Sequence, residues 1–183
     1  MALRNGPDAF GLITRLIHWL MALLILAMFA LGLRLTSMQP GLSNLWLYGL
    51  HKTVGITLLG LVILRIFWHL VSPPPQPVGP PGWMRTFVKA WHWTLYALMI
   101  ATPIAGWAGS SASGIDTVVF SRFTLPPLVA ANETSEFVWF ILHEIFAKTL
   151  IGMVIVHILG ALKREMAGDG TLTRMLRGRA RPG

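Results

Sequence analysis

Six histidines are the residues best able to do chemistry in this chain of 183 residues. Imidazole nitrogens bind transition metals, and they exchange protons near neutral pH. Cysteine is absent, which excludes disulfides, thiolate metal sites, iron–sulfur clusters and Cys-x-x-Cys-His attachment motifs. A metal in this protein must therefore be held by histidine or carboxylate.

The spacing of His143 and His157 is the most informative feature of this set. They are 14 residues apart within one apolar segment. On a helix this spacing returns to within about 40° of the same face and separates the two side chains by about 21 Å along the axis. A single ion would favour ligands three or four residues apart. The spacing therefore predicts two metal centres, one near each end of the helix.

The composition places these histidines in a membrane. Apolar residues make up 54% of the chain and the mean hydropathy is +0.62, while charged residues are only 12%, against roughly 25% in a typical globular domain. Four apolar segments are long enough to span a bilayer: about 16–35, 47–71, 90–109 and 137–162. A soluble bundle would need a polar stripe along each helix, and the first and third segments have almost none. The other alternative is a signal peptide cleaved after the first segment, which would discard His18.

The positive charges predict the orientation of these spans. Lys and Arg are concentrated before the first segment, between the second and third, and after the fourth, whereas the other two loops hold only Arg122. The positive-inside rule then places both termini in the cytoplasm. We therefore expect an all-α membrane protein, a four-helix antiparallel transmembrane bundle. It consists of a cytoplasmic N-terminus (1–13), a membrane domain (14–162) and a basic cytoplasmic tail (163–183). This distribution explains most of the net charge of +8 without a nucleic-acid partner.

Orientation also predicts which histidines meet. His51 and His143 fall near the periplasmic surface, and His18 and His157 near the cytoplasmic surface, so equal depth pairs His51 with His143 and His18 with His157. Two imidazoles from neighbouring helices are a normal way to hold a low-spin haem iron. His92 is the alternative partner of His157. The four paired histidines share a small residue one turn later, which leaves room for a flat cofactor: Ala22, Gly55, Ala147 and Ala161.

Two cations and one further histidine have candidate roles near these centres. Arg65 lies 14 residues after His51, at the cytoplasmic level, where it can pair with haem propionates or snorkel to the membrane surface. Lys52 lies at the periplasmic edge and can serve the propionates of the other haem or attract an anionic reductant. His92 lies between two tryptophans, either as part of an interfacial aromatic belt or as a quinone or proton site.

These residues resemble the bacterial cytochrome b561 family. The resemblance runs from about residue 14 to about residue 161 and rests on four motifs: Arg15-Leu-Ile-His18-Trp19, His51-Lys52-Thr-Val-Gly55, Pro103-Ile-Ala-Gly106, and His143 with His157. The family is related to the b-type cytochrome subunits of nickel–iron hydrogenases and formate dehydrogenases. The resemblance implies a bacterial inner-membrane, multi-pass protein with two b haems. It assigns their axial ligands to His18, His51, His143 and His157.

The function implied by the resemblance is electron transfer between these haems and the quinone pool. Some stand-alone members resemble superoxide oxidases, which pass electrons from superoxide to ubiquinone, and this short chain looks more like them. The alternative is a haem-bearing membrane anchor subunit that relays electrons for a hydrogenase or other dehydrogenase, which would add a redox donor protein as a partner. A haem-free metal or proton transporter is a third interpretation, weakened by the lack of acidic residues near the histidines. The sequence leaves open whether the chain alone is an enzyme, and its exposed small residues permit a homodimer.

Overall fold

The computed structural model describes residues 2–77 and 82–178. Four long helices form most of the fold: α1 (Leu12–Thr36), α2 (Leu45–Val71), α3 (Trp83–Ala112) and α4 (Glu133–Met166). Between α3 and α4, β1 (Thr117–Val119) pairs antiparallel with β2 (Phe123–Leu125). A short helix, α5 (Thr171–Arg177), follows α4. Each of the four apolar segments lies inside one long helix, while Met1 and the last part of the expected basic tail, 179–183, lie outside the described residues.

Three of the long helices are long and apolar enough to cross a membrane, namely α1, α2 and α4. Their most apolar windows have mean hydropathies of 2.4, 2.1 and 2.1, yet only 11%, 11% and 6% of those windows is buried inside the protein. A water-soluble protein would bury most of these side chains. Here they form the outer surface, as lipid contact requires. The remaining long helix, α3, carries Lys89 and His92 in its first half. That α3 also crosses the membrane stays a prediction.

The helices pack in chain order. α1 lies against α2, α2 contacts α3, and α3 makes the most extensive contact, with α4. The buried core between the first two helices is formed by Met21, Ile25, Leu58 and Val62.

Two glycines bring α3 and α4 close together. A Cβ placed on Gly106 would lie 2.9 Å from Nδ1 of His143, and one on Gly109 would lie 2.9 Å from Cδ1 of Phe140. Contacts this short do not occur for real side chains, so glycine at these positions lets the two rings of α4 reach the backbone of α3.

A hairpin end of the bundle is formed by β1, β2 and the helix ends around them. The Lys52 ammonium donates to Oγ of Ser110 (2.6 Å) and to the backbone oxygen of Asp116 (2.9 Å). The Phe120 N–H donates to Oγ1 of Thr53 (3.2 Å). The hairpin is therefore bonded to α2 at the two residues that follow His51.

The opposite, terminal end brings both described ends of the chain together. The Phe10 N–H donates to the backbone oxygen of Gly178 (2.9 Å), and Nε1 of Trp19 donates to that of Met175 (3.1 Å). Both ends thus lie on the same side of the bundle, as four antiparallel helices require. That this side faces the cytoplasm stays a prediction.

Candidate functional site

At the hairpin end, His51 of α2 faces His143 of α4. Their ring centres are 5.9 Å apart and the ring planes are inclined by 77°. Both side chains are half-buried. The equal-depth partners expected from the sequence are therefore neighbours here.

Hydrogen bonding orients the His143 ring. Its Nδ1 lies 2.8 Å from the backbone oxygen of Thr102. Because a carbonyl oxygen only accepts, Nδ1 carries the proton and Nε2 keeps its lone pair. This is how a second partner usually holds a metal-binding imidazole. Nδ1 of His51 is buried and has no hydrogen-bond partner among the described residues.

At the terminal end, His18 of α1 faces His157 of α4. Their ring centres are 6.4 Å apart and the planes are inclined by 62°. Nη1 of Arg65 donates to Nδ1 of His18 at 2.8 Å, since a guanidinium has donors only. The same guanidinium lies 5.9 Å from the centre of the Tyr96 ring. The propionate contact expected for Arg65 stays a prediction.

His92 also lies close to His157. The two ring centres are 5.3 Å apart and nearly perpendicular, at 89°. Nδ1 of His92 donates to the backbone oxygen of Val88 at 2.6 Å, which leaves the lone pair on Nε2. The side chain is exposed.

The separations of the rings can be compared with those of two imidazoles on one iron. Each metal–nitrogen bond is about 2 Å, and the ring adds about 1 Å, so the ring centres should be about 6 Å apart. The separations of 5.9 Å and 6.4 Å agree with this value, and the 5.3 Å between His92 and His157 is shorter. The geometry fits an iron-centred group within each equal-depth pair. No group of three or more His, Cys, Asp or Glu side chains that could hold a metal ion occurs within residues 2–77 and 82–178.

Three features of the site were missed by sequence reasoning. The Thr102 carbonyl carries no side-chain signal. The role of Gly106 depends on how closely two helices approach, although the residue closes the Pro103-Ile-Ala-Gly106 motif. The contact of the Arg65 guanidinium with Nδ1 of His18 depends on the approach of α1 and α2. The role expected for Lys52, near a propionate or an anionic reductant, stays a prediction; its ammonium bonds to Ser110 and Asp116.

Comparison with known proteins identifies the family. Residues 9–178 match the family described as prokaryotic cytochrome b561. The chain is 34% identical over 182 residues to cytochrome b561 homolog 2 of Escherichia coli (strain K12), covering 96% of this chain and 95% of that protein. It is 30% identical over 162 residues to the probable superoxide oxidase CybB of Yersinia pestis, covering 87% of this chain and 91% of that protein. Both histidine pairs lie within the family match, and the chain belongs to the prokaryotic cytochrome b561 family of membrane electron-transfer haem proteins.

Proposed function

We propose that this protein binds two b haems, carries electrons across the bacterial inner membrane between them, and exchanges electrons with quinone. The observation that carries the proposal is the presence of two facing histidine pairs, at opposite ends of one bundle, with ring separations of 5.9 Å and 6.4 Å. Membership of a haem-protein family supports the nature of the cofactor.

The chain's own residues would hold and orient the cofactors. His51 and His143 would ligate one haem and His18 and His157 the other, and each haem supplies a one-electron iron couple. Because each iron would have two protein ligands, no position is left for a substrate to bind. The protein's contribution is then to fix the rings, as the Thr102 carbonyl does for His143, and to surround the cofactors with apolar helix faces.

We infer the electron donor and acceptor from the relatives and from one exposed side chain. The Yersinia pestis relative bears the name of a probable superoxide oxidase, which favours superoxide as donor and ubiquinone as acceptor. His92 offers an unprotonated Nε2 beside His157 and is our candidate for a quinone or proton site. A homodimer stays a prediction.

Haem content tests the cofactor proposal. Purified protein should give a b-type reduced-minus-oxidised spectrum and two haems per chain in a pyridine haemochrome assay. His51→Ala and His157→Ala should each lower this number to one. His69→Ala removes a histidine outside both pairs and should leave two. A colourless protein, or one haem in the wild type, would refute the proposal.

Turnover tests the partners. Superoxide added to oxidised protein should reduce the haems, and ubiquinone should reoxidise them. Failure of both reactions, together with co-purification of a stoichiometric dehydrogenase, would replace this proposal with the anchor-subunit alternative.

A further inference from the structure

We propose that the two centres have a fixed order of reduction potential, with the His18/His157 centre higher because of Arg65, so that electrons settle at the terminal end. The inference rests on the proposed function, since it requires a haem at each pair. It assigns Arg65 a role that tunes the potential through its charge and its contact with a ligand ring.

Arg65 places a positive charge against one pair only. Its Nη1 lies 2.8 Å from Nδ1 of His18, and its guanidinium lies 5.9 Å from the centre of the Tyr96 ring. Nε of Arg65 is buried without a hydrogen-bond partner among the described residues. Part of the guanidinium of this half-buried residue is therefore shielded from water, and shielding strengthens the electrostatic effect of a charge on its neighbour.

The hairpin-end pair has a hydrogen bond with the opposite effect on the reduction potential. His143 donates its Nδ1 proton to the Thr102 carbonyl oxygen, and such a bond makes the ring a stronger electron donor to a metal. Lys52 follows His51 in the chain, but its ammonium bonds to Ser110 and to the Asp116 backbone. No side-chain hydrogen bond joins it to either ring of the pair in the described part of the chain.

These contacts act on the two oxidation states in opposite directions. Reduction of a ferric haem adds one electron and removes one positive charge, so a nearby cation favours the reduced state, whereas a more strongly donating ligand favours the oxidised state. The haem held by His18 and His157 would then gain one electron from the haem held by His51 and His143, and no bond would be made or broken.

The sign of the effect does not require that Arg65 keep its present hydrogen bond. While Arg65 donates to Nδ1, His18 carries its proton on Nε2. A neutral His18 that held an iron through Nε2 would carry this proton on Nδ1 instead, and Arg65 would then turn away from the ring. A guanidinium that turned from Nδ1 to a propionate would keep its charge at the same centre, because its stem is fixed on α2.

Spectroelectrochemical titration of the purified holoprotein tests the order of the potentials. The wild type should show two separate one-electron waves. His51→Ala, which should retain only the terminal-end haem, is expected to keep the higher wave, and His157→Ala the lower wave. Coincident waves, or the reverse assignment, would overturn the inference even with two haems bound. A haem count below two in the wild type would instead refute the proposed function.

Substitution of Arg65 tests the cause. Arg65→Gln should lower the higher potential by at least the equivalent of a tenfold change in the reduction equilibrium, about 59 mV for one electron, and leave the lower wave in place. Arg65→Lys keeps the charge and should restore most of the shift. Arg122→Gln removes a charge at the hairpin and is the matched control, with no shift expected at the terminal-end haem. An unchanged higher potential in folded, haem-loaded Arg65→Gln would contradict the role of Arg65. Should that variant fail to fold, the potentials of His51→Ala and His157→Ala still show which centre has the higher potential.

Discussion

At the scale of single residues, Gly106 positions a ligand ring by having no side chain. A Cβ there would lie 2.9 Å from Nδ1 and 3.0 Å from Cε1 of His143, so Gly106→Ala must displace the ring and weaken its bond to Thr102. We expect the haem at the hairpin end to bind roughly 10- to 100-fold more weakly, as when an outer-shell partner is lost. The terminal-end haem should be retained. Haem titration of the purified variant measures the effect.

The matched control is Gly60→Ala, because a Cβ at this position on α2 meets nothing within 4 Å. It should bind both haems as the wild type does. Equal haem affinity in Gly106→Ala and Gly60→Ala would show that His143 does not need the glycine.

A second prediction at this scale separates His18 from His92 as the partner of His157. The ring separation of His18 fits two ligands on one iron, and that of His92 is too short. His18→Ala should therefore lose one haem, whereas His92→Ala should retain both and impair quinone reduction. Haem counting and steady-state quinone reduction measure the two effects. Loss of one haem in His92→Ala but not in His18→Ala would reverse the assignment.

The histidine pairs could be predicted from the sequence because they depend on helix geometry and on which loops carry the positive charges. Fourteen residues on a helix fix both the face and the depth of His143 and His157. The contact of Arg65 with His18 and that of Thr102 with His143 could not be predicted from it. Both depend on the tertiary approach of two helices, which the spacing of residues along one helix does not specify.

At the scale of elements, two carboxylates connect α4 to α5. Glu165 accepts from the N–H groups of Leu172 (2.8 Å) and Thr173 (2.9 Å), and Asp169 makes a second set of bonds. Asp169 accepts from Nε of Arg164 (2.6 Å) and from the N–H (2.9 Å) and hydroxyl (2.6 Å) of Thr171. Partial burial alone would raise the pKa of Asp169, but the bonds from Thr171 and Arg164 outweigh it and lower the pKa below its usual value.

The sign of the pH dependence follows from this lowered pKa. The stabilisation is complete above the ordinary aspartate pKa of about 4 and is lost as the pH falls through the lower value of the folded state. We expect α5 to detach more readily below about pH 4, with a loss of about 1 kcal/mol or less because the carboxylate is partly solvated. Hydrogen exchange of 167–178, corrected for intrinsic rates, measures this. Asp169→Asn should exchange faster at neutral pH and show a smaller acid effect than the wild type, because the Glu165 carboxylate that bonds to Leu172 and Thr173 remains. Unchanged protection in this variant would contradict the prediction.

The long helices were predictable, and the caps at the two ends of the bundle were not. Uninterrupted apolar stretches predict helices such as α1 and α2 because a backbone in lipid must satisfy its own hydrogen bonds. The hairpin and α5 are short. Their positions depend on bonds to residues distant in the chain, such as that from the Phe120 N–H to Thr53. The local sequence pattern does not predict such partners.

At the scale of the whole molecule, the exposed apolar surface and the meeting of the two described termini fit a four-span bundle. Among the helices of residues 2–77 and 82–178, only α1, α2 and α4 meet the length and apolarity of a span by themselves. α3 packs along α4 over a long contact and contributes Thr102 and Gly106 to the hairpin-end pair. A helix that runs alongside a membrane-spanning neighbour in this way should itself cross the bilayer.

The absence of cysteine in the chain allows a direct test of this topology. Single cysteines at exposed positions can be labelled with a membrane-impermeant thiol reagent in intact spheroplasts: Asp8→Cys, Ser43→Cys, Gln76→Cys and Thr134→Cys. A four-span bundle with cytoplasmic termini predicts immediate labelling at 43 and 134, and labelling at 8 and 76 only after permeabilisation. The decisive position is 134, at the start of α4. If α3 did not cross the membrane, positions 76 and 134 would lie on the same side, and position 134 would remain protected in intact spheroplasts.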